Sequence, residues 1–337
     1  MKKVLALILS LCMVFVLCAC GGTESTEEAT SSEAAATTAV TDTDTVGIYA
    51  VVIARDSVSE DAVYDFVSTI FDNVDAITDQ HAKGEELDLE KAASITSVPY
   101  HPGAAKYYEE QGIEVASVKE DAGDGDSKNL TFGTGGEAGT YYAFGGVLAQ
   151  YVTNNTDLNI TAVTSNGSQA NVQDIDADTI QLAFVQSDVL AYAYDGERLF
   201  DAPVDDFSVV AALYVEQVQI VTTDPTIKTV EDLKDKTVSI GAAGSGVYFN
   251  ALDVLEAYDM TEDDIDAVYQ SFGDSADSLK DGKIDAAFIV AGAPTTAITD
   301  LAASGDVYLV TLDEEHVEAL LDSSPYYSES IIPAGTY

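Results

Sequence analysis

The chain has 337 residues, with 14 Lys and Arg against 59 Asp and Glu, a formal net charge of −45 at pH 7. That acidic excess argues against a nucleic-acid backbone or an anionic membrane surface as partner, because both are met by basic patches. Hydrophobic residues make up 47% and charged ones 22%, so most of the chain can bury a core, and the length suits about two domains at roughly 150 residues each.

Cys12, Cys18 and Cys20 all fall at the start. The folded body therefore has no disulfide framework, thiol chemistry or cysteine zinc site to draw on. Lys2 and Lys3 precede an apolar run from Val4 to Leu17, which reads as a secretory signal too short to span a membrane. Leu17-Cys18-Ala19-Cys20-Gly21-Gly22 looks like a bacterial lipobox, so residues 1–19 are expected to be removed and Cys20 to be lipidated. The alternative is an ordinary signal peptide that ends near a cysteine. Residues 20–45 are Thr, Ser, Glu, Ala and Asp with almost nothing large and apolar, the composition of a flexible stalk. The expected location is extracytoplasmic, on the cell membrane, with the lipid as the only membrane contact.

Folded structure is predicted to begin with a strand at Val46 to Ile53. A helix follows from Glu60, with Val63, Phe66, Val67, Ile70, Phe71 and Val74 at helical spacing. Residues 119–128, acidic and glycine-containing, read as an exposed connection. Strands and helices then alternate: strand 130–132, helix 140–151, strand 160–163, helix 169–175, strand 181–185, helix 188–194 and strand 208–213. The rhythm restarts with strands at 217–222 and 237–241, a helix after Gly246, and strands at 283–289 and 306–311. Such alternation argues for α/β architecture with a parallel sheet, in two units with a seam at 214–217.

In open α/β sheets, ligands sit at the carboxyl ends of strands, where helix N–H groups face the crevice. Four strand ends here are dense in small polar residues: 133–142, 164–168, 186–188 and 241–246. Gly133-x-Gly135-x-x-Ala138 fits a dinucleotide fingerprint, but the next strand ends in Val163-Thr164-Ser165 where an acidic ribose partner is required. Neither glycine loop continues as the Gly-Lys-Ser/Thr of a phosphate loop. The bland alternative is that the glycines only make turns. His81 and His316 read as solvated, His101 beside Pro102 as structural. No catalytic constellation and no metal set is legible, and neither a cofactor nor enzymatic activity is expected.

Several motifs in order carry a resemblance: Gly133-Thr134-Gly135-Gly136…Gly139-Thr140-Tyr141-Tyr142, Ser165-Asn166-Gly167-Ser168-Gln169-Ala170-Asn171, Val185-Gln186-Ser187-Asp188, Gly241 to Gly246, Asp281 to Phe288, and Ile332-Pro333-Ala334-Gly335-Thr336-Tyr337. On these, residues 130–337 resemble the TAXI family of extracytoplasmic solute receptors, which serve TRAP transporters. Segments that resemble the end of that family, Val46 to Ile53, Glu60 to Val74 and Val98 to Glu110, stand here at the beginning. The chain therefore resembles a circular permutant joined through 119–128, a change tolerated where termini lie together at the surface. The resemblance implies a type II periplasmic-binding-protein fold: lobe I at 46–213, lobe II at 217–330, one covalent crossover near 213–218, and a segment 331–337 returning toward lobe I, with Thr336 and Tyr337 near Val46 and Gly47. It implies a monomer that captures a glutamate-like amino acid or dicarboxylate and delivers it to a TRAP-type permease. A receptor for an ABC importer is the alternative, and a dinucleotide-dependent α/β enzyme a more distant one.

The chain has two arginines, Arg55 and Arg198, neither in a binding loop. The carboxylate is therefore expected to be held by helix-start amides after Gly139 and Gly244, with Thr134, Gly135, Thr140, Ser165, Ser168, Ser245 and Gly246 around it. Tyr141 and Tyr214 are expected to stack on the ligand, and Asn171, Gln186 and Glu216 to read an amino or amide group. The Ala291-Gly292-Ala293-Pro294 turn is the expected cleft floor. Each of these residues has a turn or core role as its alternative.

Overall fold

The computed structural model describes residues 41–123, 125 and 128–337; the signal segment, Cys20 and the stalk up to residue 40 lie outside them. In chain order the first elements are β1 (Thr43–Arg55), α1 (Glu60–Phe71), α2 (Val74–Thr78), α3 (Leu89–Ala92) and α4 (Pro102–Glu110). Then come β2 (Asn129–Gly133), α5 (Thr140–Asn155), β3 (Asn159–Val163), α6 (Ser168–Asp176), β4 (Leu182–Gln186), α7 (Ser187–Asp195) and β5 (Phe207–Thr222). The remainder is β6 (Thr237–Ser239), α8 (Val247–Ala257), β7 (Asp266–Val268), α9 (Phe272–Lys280), β8 (Ala286–Ala291), α10 (Thr296–Ala302), β9 (Tyr308–Val310), α11 (Glu314–Ser323) and β10 (Ser328–Ile332).

Local chemistry explains the boundaries. Ser59 caps α1 by accepting the Ala62 N–H (3.2 Å), and Glu60 and Asp61 sit in the first turn, where the helix dipole favours them. The face of α1 carrying Val63, Phe66, Val67 and Ile70 is buried, each side chain contributing about 1.5–3 kcal/mol. Pro102 opens α4 at a position that needs no N–H, and the fully buried His101 caps it through Nδ1, which accepts from Gly103 (3.2 Å).

The strands form one sheet in the order β3-β2-β4-β1-β5-β8-β6-β7, with β10 beside β1 and β9 beside β5. In the first half β3, β2 and β4 run parallel, and β1 runs antiparallel between β4 and β5. In the second half β7, β6 and β8 run parallel, and β5 runs antiparallel between β8 and β9. Both halves therefore have the order second, first, third, reversed crossing strand, fourth. This is the type II periplasmic-binding-protein arrangement. One core packs under the first half, around Phe66, Phe132, Phe144 and Phe184. Two others pack under the second, around Val238, Val254 and Phe288 on one face and Leu279, Ile289 and Ile298 on the other.

Four boundaries differ from the sequence reading. The strands expected at 208–213 and 217–222 are one 16-residue strand, because Glu216 and Gln217 continue the extended chain instead of breaking it. β1 is a second crossing strand: its residues 50–54 pair with β4 in the first half, while Val46 and Ile48 pack in a core of the second. It begins at Thr43, where Thr43 and Thr45 are buried, so an extended stalk to residue 45 is shortened at its end. Residues 331–337 leave the start of β1 and end in the second half. β10 pairs with Thr43 to Gly47, Ala334 N–H donates to Asp42 (2.9 Å), and Tyr337 enters a second-half core with its hydroxyl on Gln219 and Thr295. The connection at 119–128 is also anchored at its start, by Lys119 on Asp56 (3.2 Å) and Gly123 N–H on Asp56 O (2.8 Å).

Candidate functional site

Three helices begin at one place between the halves. Their N-caps are Gly139 for α5, Gly167 for α6 and Gly246 for α8, and none of the three is capped by a side chain. The first two N–H groups of each helix are thus left for another acceptor, with the positive ends of three helix dipoles behind them; the third N–H of α6, on Ala170, is taken by Gly244 O. Gly167 has φ +106°, a conformation that favours glycine. Gly246 has an ordinary helical backbone, but a Cβ there would overlap Gln186 Oε1. Glycine is thus required by close approach across the cleft.

The helix starts surround a cavity of about 80 Å³. This is well below the roughly 300–1,000 Å³ of a drug-sized site, and too small for a dinucleotide. Of the residues expected at the site, Gly135, Thr140, Tyr141, Ser165, Ser168, Gln186, Glu216, Ser245 and Gly246 line it. Gly139 and Ala291, expected at the helix start and the cleft floor, line it too, as do Gly136, Asn166, Gly167, Ala242, Val247, Ser271, Phe272 and Val290, which were not among the expected ligand-binding residues. The glycines and Asn166 could have been included, since they lie inside the same loops. Ser271 and Phe272 begin α9, and no motif there marks a site.

Five expected residues support the cavity instead of lining it. Thr134 is buried and donates to Val163 O (2.7 Å), tying β2 to β3. Asn171 is buried behind the loops and donates to Thr134 O and Phe184 O. Tyr214 lies in the core, edge-on to Phe144. Gly244 and Gly292 contribute carbonyls across the cleft: Gly244 O accepts from Ala170 N (2.9 Å), and Gly292 O from Thr140 Oγ1 (3.1 Å).

Aromatic stacking sets the polar geometry. Phe132, Phe184 and Tyr141 stack in series, with centroids 5.1 and 4.7 Å apart. That stack fixes the Tyr141 hydroxyl, which donates to Glu216 Oε2 at 2.7 Å. Glu216 is 2% exposed, and burial pushes its carboxyl up to about 8, against the pull of the Tyr141 hydrogen bond and the charge of Lys83. Lys83 is a cation that sequence reading missed. It sits buried in a 3-10 turn at Ala82–Glu86, paired with Glu86 and 5.5 Å from the Tyr214 ring centroid. Nothing in its local sequence distinguishes it from a surface lysine. His81, expected to be solvated, is half-buried with its ring 5.0 Å from Phe144. Among the described residues no group of three His, Cys, Asp or Glu is placed to hold a metal ion.

Beside the cavity a buried polar network joins the halves. Gln186 Nε2 donates to Asn250 Oδ1 (3.0 Å), while Asn250 Nδ2 donates to Asp188 Oδ2 (3.0 Å). Tyr327 donates to Asp253 Oδ2 (2.8 Å), and Arg198 pairs with Asp253 Oδ1 (2.7 Å). Burial, with Asp253 nearby, pushes Asp188 up to about 7, against the Val189 N–H it accepts. Together with the carbonyl contacts of Gly244 and Gly292 and an Ala297 N to Ala138 O bond (3.1 Å), this network holds the halves closed on the cavity.

Fold and site together define a two-lobe α/β protein with a closed, small, uncapped-helix cavity at the crossing strands. The chain belongs to the NMT1-like family, whose model matches residues 27–112 and 132–337. Among solved structures it is similar to the alkanesulfonate-binding protein SsuA from Xanthomonas axonopodis pv. citri bound to MOPS (19% identity, 56% of this chain and 62% of that one, TM-score 0.39). It is also similar to the periplasmic aliphatic sulphonate binding protein SsuA from Escherichia coli (18%, 55% and 60%, 0.35) and to holo ArgBP from T. maritima (18%, 58% and 86%, 0.35). The matched region spans about three fifths of the two sulfonate-binding proteins.

Proposed function

We propose that this chain is an extracytoplasmic solute-binding protein that closes its two lobes on a small organic anion and delivers it to a membrane importer. The observation that carries the reading is the convergence of three glycine-capped helix starts, from both lobes, on one cavity. Such N–H groups bind anions without a cationic side chain, and hinge closure around a ligand is the usual motion of this architecture. Binding is the role proposed for this cavity. A monomer suffices, because one chain supplies the whole cavity.

Two importer classes are in play. Binding proteins of ABC transporters are named among the similar structures, including the substrate binding protein of an amino acid ABC transporter, so an ABC importer stands first. The TRAP permease, implied by the sequence motifs, stands second. Anchoring through a lipid on Cys20 is part of the proposal and rests on the lipobox. The circular permutation is likewise proposed. It is supported by the pairing of β10 with the start of β1, which brings the end of the chain beside the beginning of the fold.

The test is a thermal-shift and calorimetric panel of amino acids, dicarboxylates, 2-oxo acids, alkanesulfonates and NAD on the folded chain. A binder raises stability by mass action. A shift with one small anion class supports the reading, and a shift with NAD alone overturns it. Reconstituted uptake driven by ATP, or by an ion gradient through a fused permease, assigns the importer.

A further inference from the structure

The fourth helix at the cavity differs from the other three. Ser271 caps α9 by accepting the Asp274 N–H (3.2 Å), and the residue that α9 adds to the lining is Phe272. Phe272 is half-buried and packs on both cores of the second half. Its ring also reaches the first half, since a Cβ at Gly139, the N-cap of α5, would stand 3.4 Å from Phe272 Cδ2. Val247, Val290 and Ala291 complete an apolar wall, all from the second half. Thr140 and Ser168, the first residues of α5 and α6, line the cavity from the first half.

Volume and charge both bound the solute. The cavity, about 80 Å³, is about half the size of a roughly 150 Å³ apolar cavity that takes benzene, so it has room for about three to five non-hydrogen atoms. Among the described residues that line it, none is Lys, Arg or His. Beyond the helix starts, therefore, no cation compensates a second negative charge. Burial pushes the Glu216 carboxyl up to about 8, so it keeps its proton at neutral pH and sets no charge of its own beside a carboxylate.

We propose that Phe272 sets the length of the solute, closing the cavity so that it takes a short monocarboxylate of about two to four carbons. This rests on the solute-binding reading above and narrows it. The carboxylate lies on the starts of α5, α6 and α8, and the alkyl body lies against Val247, Phe272 and Val290. A longer chain, or a second carboxylate, runs into the ring. Glutamate and 2-oxoglutarate, which the sequence motifs point to, are too long for the closed cavity.

The experiment measures dissociation constants by calorimetry for acetate, propionate, butyrate, pentanoate and hexanoate, with glutamate and methanesulfonate beside them. In the native protein, affinity is expected to rise about fourfold from acetate to propionate, as one methylene is buried. It is expected to fall by about tenfold or more from butyrate to pentanoate, as the chain overpacks the wall. In Phe272→Ala, checked for folding by its melting curve, affinity is expected to keep rising through pentanoate. In Phe272→Leu, a smaller truncation, the fall is expected one carbon later than in the native protein. Affinity that rises steadily to hexanoate in the native protein, or a native order retained in the folded variants, overturns the proposal while leaving the solute-binding reading intact. Glutamate or methanesulfonate bound more tightly than every member of the series does the same. Binding of no small anion, from the series or from the panel above, removes both.

Discussion

Gly246→Ala separates closure from folding. The residue has φ −73° and ψ −23°, so alanine carries no backbone strain. Its Cβ would overlap Gln186 Oε1, which belongs to the opposite lobe, and would stand 3.0 Å from Ser168 Oγ. Gln186 must move, and its bond to Asn250 Oδ1 (3.0 Å) is lost inside a buried network. A lost hydrogen bond costs about 0.5–1.5 kcal/mol and an orphaned buried acceptor about 1–3, so the closed form is penalised by about 2–4 kcal/mol. That corresponds to a roughly 30- to 700-fold loss of ligand affinity. With the lobes apart the methyl group meets no Gln186, so the melting temperature without ligand is expected to stay within a degree or two. Calorimetry and differential scanning on the same preparation read both quantities. Affinity within threefold of the native protein would refute the reasoning, as would a fall in ligand-free stability that matched the fall in affinity.

Arg198→Ala removes a latch between the lobes, the pair to Asp253 with the guanidinium over Tyr192 (5.1 Å) and Phe249 (5.6 Å). A loss of about 1–2 kcal/mol is expected, seen as a roughly 5- to 30-fold weaker Kd that added salt reduces; unchanged affinity would exclude a latch. His101 is neutral in the fold, with burial pulling it from 6.5 to about 4 while Nε2 donates to Val58 O (3.0 Å). The unfolded chain binds that proton first, so the contribution is full above pH 6.5 and is lost as pH falls toward 4, about 3 kcal/mol in all. Urea unfolding at pH 7 and near pH 4.5 should show this loss in the native protein and a smaller one in His101→Gln. Tyr337→Phe orphans the Thr295 N–H (2.9 Å) and Gln219 Oε1 in a buried setting, and is expected to cost about 1–3 kcal/mol of stability, with unfolding midpoints as the readout.

The loops after β2, β3, β4 and β6 were legible because small residues and glycines cluster where a helix must start close to a ligand. Thr140, Ser168 and Ser245, picked out by that signal, line the cavity. Thr134 and Asn171 carry the same residue types yet face backward: Thr134 follows the end of β2, where alternate side chains point to opposite faces, and Asn171 lies on the buried face of α6, bonded to Thr134 O and Phe184 O. Lys83, Asn250 and Phe272 were not legible, since their roles arise only when distant segments meet. The continuous β5 was hidden by Glu216 and Gln217, two polar residues that interrupt an apolar pattern but sit in a crossing strand lining the cleft. The burial of Tyr337 in a second-half core was not legible, because the pairing of β10 with β1 that directs it spans almost the entire chain.

The central claim is that helix-start amides hold the solute's anionic group. A crystal structure of the chain bound to the tightest ligand of the panel tests it most directly. A carboxylate whose oxygens lie about 2.7–3.1 Å from backbone nitrogens at the starts of α5, α6 or α8 is the predicted result. A carboxylate paired instead with the Lys83 ammonium, with those amides turned to solvent, would contradict it.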